Sequence, residues 1–367
     1  KGSREQYLGC HAVNGTAMRF YRGYIAEAHF IDGGSKPPES FAETDPVTGF
    51  YKPIKYTGTY GNNGWYMAFT DNSNNTATTL GKDYSGNGNN MTPFNFSIGS
   101  GSGNDSVLDT PTNNWCTLNP LASIHTGNVT PSNGNLDASF GTVSGGGGIA
   151  SNFVVRSGKW YWETKVTAAS SSALHIGVLD EALAPFAGSP FYDPGVTAES
   201  YSYQINGTKY NNNTNTSYGA SYTTDDIIGV KLDLDNGTIE FLKNNSSQGT
   251  AFTGLTGGFT PAYGDGSSAG THSISVNFGQ QGFTYTIPAG YKALNSQNLP
   301  EPTVPRGDEY FDAIAYSGTG SQQAISGYNF APDWVWVKRR DANNFHILAN
   351  TLSGAGNYLV SNNSDAE

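Results

Sequence analysis

The sequence predicts an all-β protein built from antiparallel β-sandwich modules. β-Branched and aromatic residues abound, including 22 Tyr and 19 Phe, whereas good helix formers are scarce. The 47 glycines, together with many Asn and Ser, suit tight turns between short strands. Charged residues make up only 13% of the 367 residues, so Asn, Ser and Thr carry most of the polarity.

The chain length predicts the number of domains, and the net charge limits the classes of partner. A chain of 367 residues is expected to form two or three domains. The net charge is −11, and the only basic cluster is Lys338-Arg339-Arg340. Nucleic-acid affinity depends on neutralising phosphates, so we expect no nucleic-acid partner. No apolar run is long enough to span a bilayer, so we expect no membrane insertion.

The central third of the chain has the clearest strand patterns. Trp160 and Trp162 alternate with polar neighbours and are expected in the core. Residues 227–243 read as a hairpin with Asn236-Gly237 at its turn, which suggests a type I′ turn. A Gly/Ser/Asn-rich stretch at 97–106 is expected to be flexible.

Six motifs occur in this region in a fixed order. They are GKWYWE at 158–163, IGV at 176–178, YSYQINGTKY at 201–210, DDIIGVKLDLDNGTIEFLKNN at 225–245, FTPAY at 259–263 and VNFGQ at 276–280. This order resembles the SPRY domain family. The resemblance implies a β-sandwich over 111–299 that binds peptides or proteins through its loops.

The flanking segments resemble other β modules. Residues 18–32 read as one strand, similar to the closing strand of a concanavalin-like or laminin-G sandwich, and residues 83–90 resemble a turn of lectin-like phage modules. We therefore predict a closing part of a lectin-like sandwich at 1–46, a linker with short strands and Gly/Asn-rich turns at 47–110, the SPRY-like sandwich (a concanavalin-like jelly roll) at 111–299, and the start of a further β module at 300–367, with strands at 311–316 and 334–338.

This order of modules resembles large structural proteins of tailed marine bacteriophages. The resemblance implies a tail-fibre or decoration protein at the virion surface, in an extracellular setting. Its partners would be other virion subunits, a further copy in a homo-oligomer, and a host surface glycan or protein. We also expect the chain to be a piece of a longer polypeptide.

Candidate catalytic groups are weak, so we predict that the protein is not an enzyme. Asp233 and Asp235 share a strand face, but i, i+2 carboxylates occur in any strand. We expect Asp235 to shape the nearby turn. The six histidines show no metal or triad spacing, and His175 is expected to face solvent. Cys10 and Cys116 cannot make a disulfide framework.

The binding residues are expected in loops rich in Tyr and Asn. A tyrosine ring can stack on sugar C–H groups while a neighbouring amide bonds hydroxyls. The candidates are Tyr192, Tyr210, Asn212, Tyr218 and Tyr222. No cofactor is expected; the oxygen-rich stretch 71–75 offers a weak alternative as a calcium loop.

Three functions remain open from the sequence. The leading hypothesis is a non-enzymatic virion adhesion module that contacts a host glycan or protein. The second is a purely structural capsid or filament subunit. The third is a polysaccharide depolymerase, which would need an acidic cleft and one carboxylate of raised pKa.

Overall fold

The computed structural model describes residues 6–13, 16–18, 20–21, 23–46, 49, 51–110, 112–124, 129–141, 147–170, 173–183, 193–266, 271–301, 303–304, 306–354 and 356–363. The chain divides into two compact units. We call residues 1–37 with 57–299 the sandwich unit, and residues 38–56 with 300–367 the flanking unit. No described helix is long and apolar enough to cross a membrane.

The first hundred residues contain only short strands. They are β1 (His11–Val13), β2 (Thr16–Met18), β3 (Ala28–Phe30), β4 (Ala42–Thr44), β5 (Tyr51–Pro53) and β6 (Trp65–Met67), with a 3-10 helix at Pro38–Ser40. Antiparallel pairs form between β1 and β2, β3 and β6, and β4 and β5. The prediction of one strand over 18–32 was wrong. Glu27 has φ +52°, a conformation that interrupts an extended chain just before β3.

The sandwich itself begins after residue 110. Its strands are β7 (Leu118–Ile124), β8 (Val129–Ser132), β9 (Asp137–Phe140), β10 (Gly147–Ser151), β11 (Lys159–Ala168), β12 (Leu174–Asp180), β13 (Ser200–Gln204), β14 (Thr208–Asn211), β15 (Thr214–Ser217), β16 (Ile227–Asp233), β17 (Thr238–Lys243), β18 (Ser246–Thr253), β19 (Phe259–Asp265), β20 (His272–Asn277) and β21 (Lys292–Ala293), with a 3-10 helix at Glu181–Leu183.

These strands form two sheets. The first has the order β15-β14-β13-β12-β19-β10-β7, and the second β18-β17-β16-β11-β20-β9-β8. Every pairing along these orders is antiparallel, and β21 adds to β11 in parallel. The predicted all-β fold with an antiparallel sandwich is confirmed.

The core lies between the two sheets and is filled by aromatic and branched side chains. Trp160 and Trp162 are 2% and 0% exposed, as their alternation along β11 predicted. Tyr203, Phe241 and Tyr263, on β13, β17 and β19, belong to the same core cluster and are fully buried. Burying one large apolar side chain contributes about 1.5–3 kcal/mol, so this aromatic layer is a main source of stability.

The hairpin of β16 and β17 forms, but its turn differs from the prediction. Asp233 pairs with Thr238, which leaves a four-residue loop, and Gly237 has φ +63° while Asn236 has no positive φ. The type I′ assignment was therefore wrong. The Asp233 carboxylate accepts hydrogen bonds from the backbone and side-chain amides of Asn236, at 3.0 and 2.8 Å, and thereby shapes the loop.

The beginning and the end of the sandwich lie side by side. The backbone amide of Cys116 donates to the Leu294 carbonyl at 3.0 Å, and that of Ser296 donates to the Asn114 carbonyl at 2.8 Å. Buried Glu163 holds the returning segment, because its carboxylate accepts the backbone amides of Thr284 and Tyr285 at 2.8 and 2.9 Å.

The stretch 97–106 is anchored rather than free. Asn104 is 6% exposed, and its amide donates to the Gln281 carbonyl at 2.9 Å. The backbone amide of Gly101 also donates to Gln281, at 3.2 Å. The expectation of flexibility from Gly and Ser content was wrong, because these bonds attach the loop to the end of β20.

The flanking unit has a three-stranded antiparallel sheet made of β22 (Trp334–Val337), β23 (Ile347–Asn350) and β24 (Leu359–Val360), and a 3-10 helix at Gly307–Glu309. The predicted strand at 334–338 forms as β22, but that at 311–316 does not. None of the described residues in 306–363 is buried. Arg339 pairs with Asp341 at 2.6 Å, as expected for a solvated strand end.

Candidate functional site

Two places in the sandwich unit concentrate polar side chains. The first is the loop cluster predicted from the sequence. Tyr210 is 8% exposed, its hydroxyl donates to Asn213 Oδ1 at 2.6 Å, and its ring lies 5.1 Å from that of His175. Asn212 is exposed with φ +48° at the β14–β15 turn. The structure thus brings Tyr210 and Asn212 together at one hairpin.

The other loop tyrosines serve the scaffold. Tyr222 is 3% exposed, and its hydroxyl lies 3.1 and 3.0 Å from the carbonyl oxygens of Leu174 and Tyr203. Burial raises its pKa well above the ordinary value. Tyr218 donates to the Gly249 carbonyl, and burial raises its pKa to about 12. Both phenols therefore stay protonated and hold loops together.

The burial of each tyrosine decides whether it could contact a ligand, as the sequence predicted. Tyr222 presents no ring face to solvent, so its assignment to the rim was wrong: its hydroxyl bonds draw it inside the sandwich. Tyr192 lies outside the described residues. Ligand contact by Tyr210, Asn212 and Tyr218 stays a prediction.

His175 is buried, contrary to the expectation that it faces solvent. Its Nε2 lies 3.0 Å from Asp193 Oδ2, and its Nδ1 lies 3.1 Å from Ser202 Oγ. Serine, histidine and aspartate are thus in hydrogen-bond reach, as in a hydrolase triad. However, Ser202 is fully buried and its hydroxyl donates to the Pro194 carbonyl at 2.5 Å. This serine has no access to a substrate, so the cluster is structural.

The candidate carboxylates are likewise occupied. Asp233 accepts the Asn236 amides and pairs with Lys159 at 2.8 Å. Burial raises its pKa, but these bonds outweigh burial and leave the pKa below the ordinary value. Asp235 accepts the backbone amide of Gly158 at 2.7 Å. A general acid needs a raised pKa, so this pair does not suit glycoside hydrolysis.

The second place is an open groove of about 480 Å³ on the outer face of the second sheet. Its floor crosses three adjacent strands, β9, β20 and β11. Asp137, Ser275 and Lys165 lie side by side there, because Asp137 pairs with Ser275 and Ser275 with Lys165. Ser139 and Ser273 form the next row, with their hydroxyl oxygens 3.1 Å apart. We call this the serine groove.

Residues distant in sequence complete the serine groove. Ser102 and Gly103 of the anchored loop line it, as do Ser132 and Asn133 at the β8–β9 turn. The Tyr24 hydroxyl donates to Asn133 Oδ1 at 3.1 Å. Burial, followed by the charges of Asp137, Asp105 and Asp109, raises the pKa of Tyr24. The surroundings of this phenol are therefore acidic.

Sequence reasoning missed the serine groove. The only signal was the alternation of short polar and apolar residues, as in Asp137-Ala-Ser-Phe140 and Ser273-Ile-Ser-Val276. Such alternation predicts a solvated sheet face, and nothing in it indicates which segments meet there.

No group of three or more His, Cys, Asp or Glu suited to a metal occurs within the described part of the chain. In the stretch considered for calcium, Asp71 Oδ1 accepts the backbone amide and the hydroxyl of Ser73, at 3.2 and 2.6 Å. The sequence feature is explained by this local turn. Cys116 is buried, which raises its pKa to about 12, and it is not a reactive thiolate.

Comparison with known families identifies two segments. Residues 159–281 match the family described as SPRY domain, and residues 306–367 match a domain of unknown function, DUF7483. The first match, the motif order and the two-sheet topology agree, so residues 159–281 belong to a SPRY domain.

Curated relatives match part of the chain. Protein ssh4 of Sclerotinia sclerotiorum is 30% identical over 194 residues, 51% of this chain and 35% of that protein. Protein ssh4 of Neurospora crassa is 32% identical over 167 residues, 44% and 31% of the two chains. Ran-binding protein 10 of Danio rerio is 35% identical over 96 residues, 26% and 16%. The chain thus spans between 16% and 35% of the length of these relatives.

Solved structures to which the chain is similar include the SPRY domain of human HERC1. It is 20% identical, covers 44% of this chain and 96% of its own, and has a TM-score of 0.38. Stonustoxin is 19% identical, covers 44% of this chain and 27% of its own, and has a TM-score of 0.37.

Proposed function

We propose that this protein is a non-enzymatic recognition module in which a SPRY sandwich presents a binding surface to a protein or glycan partner. One observation carries the proposal. Five buried groups of the sandwich that could do chemistry are engaged in bonds that hold the fold: His175, Asp193, Ser202, Glu163 and Asp233. Binding needs only an accessible surface, and the serine groove and the β14–β15 hairpin supply two.

The relatives support binding rather than catalysis at the level of the SPRY domain. One of them is named a Ran-binding protein, which is a statement about that protein. For this chain the partner is a proposal. The SPRY resemblance adds that loop surfaces of such sandwiches bind peptides or proteins.

We further propose a place at a virion surface, in contact with other subunits and a host surface. Two observations support this proposal. The chain is a β protein rich in Asn and Gly with few charged residues. Its flanking segments, and the order of its modules, resemble those of phage structural proteins. The relatives found are fungal and animal proteins, and their names do not refer to a virion.

A binding assay with the purified chain tests the proposal. The probes are a glycan array, whole bacterial cells and a protein microarray, with release of reducing ends from bacterial polysaccharide measured in parallel. We expect saturable binding and no release of reducing ends. Steady release of reducing ends would make the protein a depolymerase, and absence of binding to all three probes would refute recognition.

A second function, assembly of identical subunits, is favoured by the flanking unit. Trp334 and Trp336 are 51% and 56% exposed on one face of its sheet. Exposed aromatic patches commonly mark interaction surfaces. Light scattering across a concentration series tests this function: an oligomer that Trp336→Lys dissociates would favour assembly, and a monomer at all concentrations would exclude it.

A further inference from the structure

We propose that the serine groove binds a neutral, polyhydroxylated ligand, a stretch of uncharged oligosaccharide. This inference deepens the recognition function proposed above and rests on it. It assigns both a site and a ligand class, and the site lies away from the loop hairpin where the sequence placed ligand contacts.

The groove floor can exchange hydrogen bonds in both directions. Ser139, Ser273 and Ser275 bring hydroxyl groups, each of which can donate or accept. Asp137 brings a carboxylate and Lys165 an ammonium group. Sugar hydroxyls have the same dual capacity, so each can find a partner whichever way it points.

The Asp137 carboxylate has unused capacity. Its Oδ1 atom is shielded and has no hydrogen-bond partner among the described residues. Shielded polar atoms without a partner are uncommon in folded proteins. Rotation of the carboxylate about its terminal torsion, which is broad for Asp, would turn this oxygen toward a donor in the groove. A sugar hydroxyl is such a donor.

The charges around the groove select against anionic ligands. Asp137 and Lys165 flank Ser275 on the floor. Asp105 and Asp109 act on Tyr24 at the rim together with Asp137. These carboxylates repel sulfated, sialylated or phosphorylated ligands. The Lys165 ammonium is paired with Asp225 at 3.1 Å, so a ligand anion gains little from it.

The groove also offers little to an apolar peptide. Ala138 and Ile274 line it, but both are 1% exposed because their side chains pack in the core. These two side chains therefore offer an apolar ligand no burial energy. The aromatic surface nearby is Tyr24, which is 44% exposed and held by Asn133. One ring at the rim of a hydroxyl-lined groove suits a sugar face.

The test uses the full chain on an array of neutral, sialylated and sulfated oligosaccharides and basic peptides, followed by titration of the best probe. Ser139→Arg places a large side chain in the groove from an exposed position. Asp137→Asn keeps the shape and removes the charge. Thr253→Arg is the matched control, an exposed residue of β18 at the opposite edge of the same sheet. Circular dichroism checks that each variant is folded.

We expect binding to neutral oligosaccharides that Ser139→Arg abolishes, Asp137→Asn weakens by about tenfold, and Thr253→Arg leaves unchanged. Binding that survives Ser139→Arg would overturn the site but leave the recognition function intact. A preference for anionic sugars or basic peptides, or no glycan binding at millimolar concentration, would overturn the ligand class. Failure of the recognition function itself would show as absence of binding to cells and proteins as well.

Discussion

The same short pattern, two tryptophans separated by one residue, occurs in both units and has opposite outcomes. In the sandwich, Trp160 and Trp162 on β11 are 2% and 0% exposed. In the flanking unit, Trp334 and Trp336 on β22 are 51% and 56% exposed. Alternation predicts the strand in both cases. Whether the aromatic face is buried depends on a second sheet, which a strand's own residues do not encode.

The largest test of this comparison removes one tryptophan from each unit. Trp162→Ala should lower the free energy of unfolding of the sandwich by about 3–5 kcal/mol, because it leaves a cavity in a closed core. Trp336→Ala should change the free energy of unfolding of the flanking unit by less than about 1 kcal/mol. Urea unfolding, followed by hydrogen exchange of the β11 and β22 amides, would measure the stability of each unit separately. Equal losses would show that the face of β22 is covered after all.

The second test concerns buried against exposed carboxylates. Glu163→Ala leaves the Thr284 and Tyr285 amides without their acceptor and should cost about 2–4 kcal/mol. Asp341→Ala breaks only the exposed pair with Arg339 and should not change stability measurably. Thermal unfolding of the two variants decides. A Glu163→Ala protein as stable as the wild type would contradict the role given to this carboxylate.

The third test compares two glycines with positive φ. At Gly237 a Cβ would lie 2.7 Å from the Leu255 carbonyl oxygen, whereas at Gly354 nothing lies within 4 Å. Both changes to Ala strain the backbone, by about 1 kcal/mol, but only Gly237→Ala adds a clash. We therefore expect Gly237→Ala to lower the melting temperature more. The reverse order would mean that the β16–β17 loop shifts easily.

The smallest effect is expected from pH. Burial raises the pKa of Asp226 and of Asp233, but hydrogen bonds and nearby lysines outweigh it, and both pKa values lie below the ordinary 3.8. A lowered folded-state pKa adds stability above the unfolded-state value, and that stability is lost as the pH falls through the folded-state value. Unfolding measured from about pH 5 down to about pH 2 should therefore show a falling stability.

Asp233→Asn should flatten this acid slope, while Asp341→Asn serves as the control in the flanking unit. Added salt should weaken the contribution of Asp341 to stability more than that of Asp233, because exposed ion pairs are screened more strongly than partly buried ones. An acid slope that Asp233→Asn leaves unchanged would assign the pH dependence to other groups.

These outcomes show what the sequence could and could not predict. The period-two runs of β11, β16 and β17 predicted the sandwich because alternate apolar residues, such as Trp160 and Trp162, lie in the core. Asp193, in contrast, is 18 positions beyond His175, and only the fold reveals that the pair is buried. The serine groove was also missed, because it joins loop 102–103, turn 132–133 and three strands that are neighbours only in the folded sheet.

The position of the phenols shows the same limit. Tyr210 and Tyr222 both lie in segments rich in Asn and Gly. The hydroxyl of Tyr222, however, bonds the carbonyl oxygens of Leu174 and Tyr203 inside the core. Local composition identifies a loop but does not say which side chain turns inward.

The bonds from Cys116 to Leu294 and from Ser296 to Asn114 place the two ends of the sandwich next to each other. A domain whose ends are adjacent can be inserted into another protein, exchanged or deleted with little change in the path of the flanking chain. We call such a unit a cassette. The family match also begins at residue 159, after β7 to β10 have already joined both sheets. A transplanted cassette would therefore have to run from about residue 113 to about residue 299, because a cut at the motif boundary would remove four of its strands.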